Sequence, residues 1–154
     1  MNDYFKEEFI RVEMESENAA DVISTLGGLL LDEGYVKDTF IAAALDREKV
    51  YATGIQVGST GIAIPHTDCI HVNKMAIAVG VLTTPVKFGI MGGDGEIDVD
   101  LVFLLALVAC ESQISLLQCF SEFFEKNEEI EIIRRAKNPK EVLEVLNSEI
   151  HFNS

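Results

Sequence analysis

The stretch that most restricts this chain is EIDVDLVFLLALV, residues 96–108, which is apolar without a break from Leu101 to Cys110. Its β-branched and aromatic content reads as a strand. A strand that apolar must have both faces covered, so it predicts a buried sheet with helices on each side. The run is about half the length a membrane-spanning helix needs. GIAI (61–64) and KMAIAVGVL (74–82) read as further strands, with a short one around Val86 to Phe88 and an edge strand in FIRVEM (9–14). The short link from Leu82 to Val86 implies some antiparallel pairing. GIMGGDGE (89–96) reads as a loose glycine-rich turn.

Helices flank these strands in sequence. From Glu17 to Glu33 the residues Ala19, Val22, Leu26, Leu29 and Leu30 recur at helical spacing. Ser16 is the expected N-cap and Gly34 the expected residue past the end. A second helix is expected from Asp38 to Lys49, with Ile41, Ala44 and Leu45 on one face. After the strands, Ser112 is expected to cap a helix that buries Ile114, Leu117, Phe120 and Phe124. A short helix follows near Glu128 to Ala136. Asn138-Pro139 then reads as an N-cap with proline at the first helical position, opening a last helix through Leu146. No repeat or linker divides the 154 residues. The expectation is one α/β domain over residues 1–154, a mixed β-sheet with helices on both faces.

Twelve Lys and Arg against 26 Asp and Glu give a net charge of −14. Nucleic-acid binding depends on neutralising phosphates, and this balance argues against it and against anionic membranes. Three cysteines form no CxxC pair, which points to a reducing compartment. The start, MNDYFKEEFI, shows no signal-peptide pattern, so a cytoplasmic location is expected. The acidic run EFFEKNEEIEIIRR (122–135) reads as a solvated face.

Of three histidines, His151 falls in the terminal HFNS, whereas His66 and His71 lie in STGIAIPHTDCIHV (59–72), just past a strand. Loops at strand ends commonly carry chemistry. Pro65 restricts both its own φ and the residue before it, so His66 is expected to be aimed. HTDCIH also holds Asp68 and Cys69, but positions five apart do not share a helix face and no second ligand cluster exists in the chain. No metal is therefore expected. A Ser/His/Asp hydrolase lacks its GxSxG. GIMGGDGE lacks both phosphate-loop patterns.

GIAIPH, preceded by an LxRE-like segment (Leu45, Asp46, Arg47, Glu48) and Thr53-Gly54, resembles enzyme IIA of the mannitol/fructose class in the bacterial phosphoenolpyruvate-dependent sugar phosphotransferase system. VLTTPVKF, DVDLVFLLAL and SQISLLQCF resemble segments of that family in the same order, so the likeness spans most of the chain. IPHTD followed by HV, with the non-histidine Gln113, is most similar to galactitol-type members. The resemblance implies that His66 is phosphorylated at Nε2 and that Arg47 approaches the phosphoryl group. Gln113 falls where mannitol-type members carry a second active-site histidine, and Thr67 where many relatives have a small residue. It implies HPr as donor, a cysteine of enzyme IIB as acceptor, membrane enzyme IIC beyond it, and no cofactor.

The residues suit that chemistry. A neutral imidazole forms a high-energy phosphoramidate, and a loose phosphoryl-transfer transition state is served by positioning and positive charge. Arg47 offers a planar fork, and N–H groups near Thr67 and Asp68 offer further donors. Without the resemblance, Arg47 reads as a surface arginine paired with Glu48 or Asp46. An apolar platform that a partner covers would exclude water, with Phe40, Ile41, Ile55 and Ile70 as its expected members. Two rivals stand beside the relay: a regulatory phosphorylation switch of the same fold, and an unrelated binding module with a structural His66.

Overall fold

A computed structural model describes residues 4–108 and 110–150, apart from the side chains of 110–113. Its five strands are β1 (Ile10–Met14), β2 (Gly54–Val57), β3 (Thr60–Ala63), β4 (Ala76–Gly89) and β5 (Glu96–Ala106). They form one sheet in the order β1-β4-β5-β3-β2. The pairs β1/β4 and β3/β5 are parallel, while β4/β5 and β2/β3 are antiparallel. The sheet is mixed, as expected, with β1 at one edge. The helices are α1 (Ala19–Asp32), α2 (Phe40–Val50), α3 (Cys110–Phe123), α4 (Asn127–Arg134) and α5 (Pro139–Glu149).

The apolar strand β5 sits at the centre, and its side chains alternate between two cores. Leu101, Phe103 and Leu105 join Phe120, Ile130, Val142 and Leu146 from α3, α4 and α5 on one face. Val102, Leu104 and Ala106 join Val22, Leu26, Phe40 and Ala44 from α1 and α2 on the other. The period of two divides one apolar sequence between two helical layers.

Several local expectations are corrected. The strands expected at 74–82 and 86–88 are one strand, β4, which starts at Ala76 and has a register shift between Val81 and Val86. The antiparallel partner is reached through the glycine turn to β5, not through the Leu82–Val86 link. Thr83, Thr84 and Pro85 are exposed where the strand bulges. Asn18, not Ser16, caps α1: its side chain accepts the Asp21 N–H at 2.8 Å. Gly34 does end that helix, at φ +76°. Ser112 lies inside α3, which begins two residues earlier. Phe120 and Phe124 are buried as expected, but Ile114 is 67% exposed and Leu116 fully buried. The inward stripe of α3 therefore runs through Leu116, Phe120 and Phe123 at helical spacing. Asn138 caps α5 as expected, accepting the Glu141 N–H at 3.0 Å.

Candidate functional site

Strand β3 presses so closely on β5 that a Cβ on Gly61 would lie 1.8 Å from the Asp98 carbonyl oxygen. Beyond Ala63 the chain leaves the sheet, and the Pro65 carbonyl accepts the Leu105 N–H at 2.9 Å, fastening the loop to the end of β5. His66 follows, only 9% exposed. Its Nδ1 lies 2.8 Å from the Ile64 carbonyl oxygen. A carbonyl only accepts, so Nδ1 carries the proton and Nε2 keeps the lone pair. Burial lowers the imidazole pKa from its ordinary value; the bond to Ile64 opposes this, and the Arg47 charge adds to the lowering. The neutral form is thereby favoured, in one tautomer.

His66 lines an open cleft of about 840 Å³. The end of α2 and the residues after it supply one wall: Arg47, Lys49, Val50, Tyr51, Ala52 and Thr53. The turn 89–95 supplies another, and Leu117 of α3 a third. The glycine-rich segment is a turn, as expected, and also a wall of the site. The Met91 N–H donates to the Gly54 carbonyl at 2.8 Å, and Ile90 bridges to Gly54, so β2 carries the turn. Gly92 and Gly95 take φ +70° and +95°, which glycine adopts without strain.

Arg47 does not pair with Glu48. The Glu48 carboxylate accepts both the Thr53 N–H and the Thr53 hydroxyl, each at 2.8 Å. The Arg47 guanidinium carbon instead lies 5.2 Å from the centre of the Tyr51 ring. Its Nε is buried without a hydrogen-bond partner among the described residues. A buried donor on a charged group is commonly paired, so this Nε stands out among the polar atoms of the cleft.

His71 is engaged elsewhere: its Nδ1 lies 2.8 Å from the Thr39 hydroxyl. It lines a neighbouring groove with Thr67, Asp68, Arg47 and Tyr51. Among the described residues no three His, Cys, Asp or Glu side chains are grouped to hold a metal. His151 lies outside the described residues, as does the Gln113 side chain. The backbone at 113 is in the first turn of α3, and position 113 shares a helix face with Leu117, four residues on. The expected apolar platform is corrected. Phe40 is fully buried in the core, while Ile41 and Ile55 pack against opposite cores. The exposed apolar groups at the cleft are Val50, Tyr51 and Met91, with Ile70 exposed on the loop beyond His66.

Fold and cleft together define an α/β protein that presents a buried histidine beside an arginine stacked on Tyr51. Residues 3–149 match the family described as phosphoenolpyruvate-dependent sugar phosphotransferase system, EIIA 2, and the chain belongs to that family. It is a phosphotransferase of the phosphohistidine-relay type, a phosphoryl carrier of a sugar phosphotransferase system. It is 32% identical over 111 residues to the galactitol-specific EIIA component of Escherichia coli K12, covering 72% of this chain and 74% of that one. To the mannitol-specific enzyme IIA component of Staphylococcus aureus N315 it is 30% identical over 149 residues, 89% of each chain. It is also 32% identical over 135 residues to the transcriptional regulator ManR of Bacillus subtilis, covering 88% of this chain and 19% of that protein. The solved complex of the mannitol enzyme IIA with phosphorylated enzyme IIB from Escherichia coli shares the fold, at TM-score 0.79 and 24% identity, with 93% and 96% of the two chains covered.

Proposed function

We propose that His66 accepts a phosphoryl group at Nε2 from HPr and passes it to a cysteine of an enzyme IIB, which serves a membrane enzyme IIC in uptake of a galactitol-type sugar. Residues 1–154 act as one domain, in the cytoplasm, without metal or cofactor. Among the described residues no helix is long and apolar enough to cross a membrane. The observation that carries the reading is the Nδ1 contact to Ile64, which leaves Nε2 as the nucleophilic nitrogen of a ring already neutral. Nε2 attacks phosphorus, the donor's nitrogen leaves with the bond electrons, and charge spreads over three equatorial oxygens. Arg47 meets that charge with its unpartnered Nε–H and the rest of its fork. Gln113, at the N-terminal end of α3, donates an amide hydrogen bond to a phosphoryl oxygen. The sugar class follows the likeness to the galactitol component, and the IIB partner follows the mannitol complex.

The experiment supplies phosphoenolpyruvate, enzyme I and HPr, and reads acid-labile phosphate on the protein. One phosphate is expected, absent in His66→Ala with the fold intact by circular dichroism. Labelling of that variant, or labelling at His71, would overturn the assignment. The likeness to ManR supports a second reading, a phosphorylation switch that acts by binding proteins. Onward transfer from phosphorylated protein to a purified enzyme IIB separates the two, since only the carrier performs it.

A further inference from the structure

Glu48 makes two bonds that the relay described above leaves without a purpose. It follows Arg47 in α2, yet its carboxylate turns away from the guanidinium. Oε2 accepts the Thr53 N–H and Oε1 the Thr53 hydroxyl, both at 2.8 Å. A carboxylate that spends both oxygens on one residue five positions on is a clamp across the end of the helix. The clamped residue is deep, since Thr53 is 3% exposed. Between clamp and helix lie Tyr51 and Ala52. The Tyr51 N–H donates to the Arg47 carbonyl at 2.7 Å. Ala52 packs close to Gly89, where any added Cβ would lie 2.7 Å from that of Ala52. The segment 51–53 is therefore held at both ends and in the middle.

That segment carries the ring on which the arginine rests, 5.2 Å from ring centre to guanidinium carbon. Cation–π contact orients the planar fork, whose Nε is buried without a hydrogen-bond partner among the described residues. The same clamp occupies the carboxylate that follows Arg47 in sequence. Were Glu48 free to pair with Arg47, the fork would be filled and its charge compensated before any phosphoryl group arrived. We propose that Glu48 is a positioning residue for phosphoryl transfer, acting through Thr53 and Tyr51 to hold the Arg47 guanidinium open in the cleft. The inference rests on the reading of His66 and Arg47 given above.

The test is a set of variants assayed for phosphoryl transfer from phospho-HPr, with kcat and KM separated and folding checked by thermal melting. Glu48→Ala should lower kcat about ten- to a hundredfold, the range expected when a reacting geometry loosens, with KM for phospho-HPr changed less than about twofold. Thr53→Val, which removes only the hydroxyl, should move kcat in the same direction, and Thr53→Ser should restore it. If Glu48 acts through Arg47, adding Glu48→Ala to Arg47→Ala should slow transfer by less than about twofold more. Equal slowing by Glu48→Ala in the wild-type and Arg47→Ala backgrounds would overturn the proposal, as would an unchanged kcat. Should Glu48→Ala fail to fold, Thr53→Val takes its place, alone and with Arg47→Ala. Slowing that vanishes in the Arg47→Ala background then supports the coupling, and equal slowing in both backgrounds overturns it. Failure of the underlying relay shows separately, as phosphate still incorporated by His66→Ala.

Discussion

Replacing Arg47 by alanine should slow phosphoryl transfer in both directions by about ten- to a thousandfold, or about 1.4 to 4 kcal/mol. The upper figure follows from the state of the side chain. Its Nε is already desolvated and unpaired, and the guanidinium is already stacked on Tyr51, so little reorganisation is needed when charge develops. Loss of one such donor from a preorganised site costs about a hundred- to a thousandfold. The lower figure follows from the open cleft, where water can enter the space the side chain leaves and solvate the phosphoryl oxygens in part. Arg47→Lys should recover only part of the loss, because ammonium keeps the charge and lacks the fork. A second, independent signal exists. Arg47 is one of the influences that lower the His66 pKa, so its removal should raise that pKa. Rapid-quench transfer from labelled phospho-HPr measures the first effect, and the ring-proton chemical shift of His66 against pH measures the second. Unchanged rates with an unchanged titration would return Arg47 to the role of a surface helix arginine.

The lowered pKa of His66 also bears on folding. The unfolded chain takes up the proton near its ordinary value of about 6.5 while the folded chain resists, so the unfolded state binds more protons below that pH. Urea unfolding should show wild type losing stability relative to His66→Gln as pH falls through about 6.5 toward the lower native pKa; parallel curves would refute the linkage. Gly61→Ala should cost about 1 to 3 kcal/mol or more, since its Cβ would meet the Asp98 carbonyl oxygen on β5 and only a shift of the strand relieves it. An unfolding free energy within about 1 kcal/mol of wild type would mean that β3 and β5 are less closely set.

The parts of the fold that the sequence disclosed are those whose residues repeat a simple period over a long enough stretch. β5 was legible because ten consecutive apolar residues, Leu101 to Cys110, admit few solutions in water. β2 was not, because four residues containing a glycine carry no usable period, and only pairing with β3 across the turn at Gly58, φ +58°, makes them a strand. Pro85 lacks an N–H, and the exposed bulge between Val81 and Val86 accommodates it within one strand. In α3 the expected stripe places Ile114 inward, whereas the core of β5, α4 and α5 takes Leu116 and leaves Ile114 exposed, a tertiary outcome that no local rule contains. At the site, His66 was legible from its place past a strand and from the family motif. The Glu48–Thr53 clamp was not, because a spacing of five crosses the end of a helix and matches neither helical nor strand period. The glycine turn became a wall of the cleft only because β2 brings Gly54 to Met91.

The same burial that prepares His66 to accept a phosphoryl group works against keeping it. Desolvation favours the neutral ring, and the Ile64 carbonyl leaves Nε2 as the nitrogen that would react in the proposed relay. Once phosphorylated, the site gains about 1.5 to 2 negative charges in a chain whose net charge is already −14. Asp94 stands in the wall of the cleft, and Asp46 and Asp68 line the groove beside it. Against these the cleft sets Arg47 and the exposed Lys49. A relay needs that balance. More positive charge would stabilise the phosphorylated state and slow its onward step, whereas less would block acceptance. Glu48 then matters for where its charge is not. Bound to Thr53, its carboxylate is not paired with Arg47, and in the proposed relay the same arginine serves transfer in and transfer out.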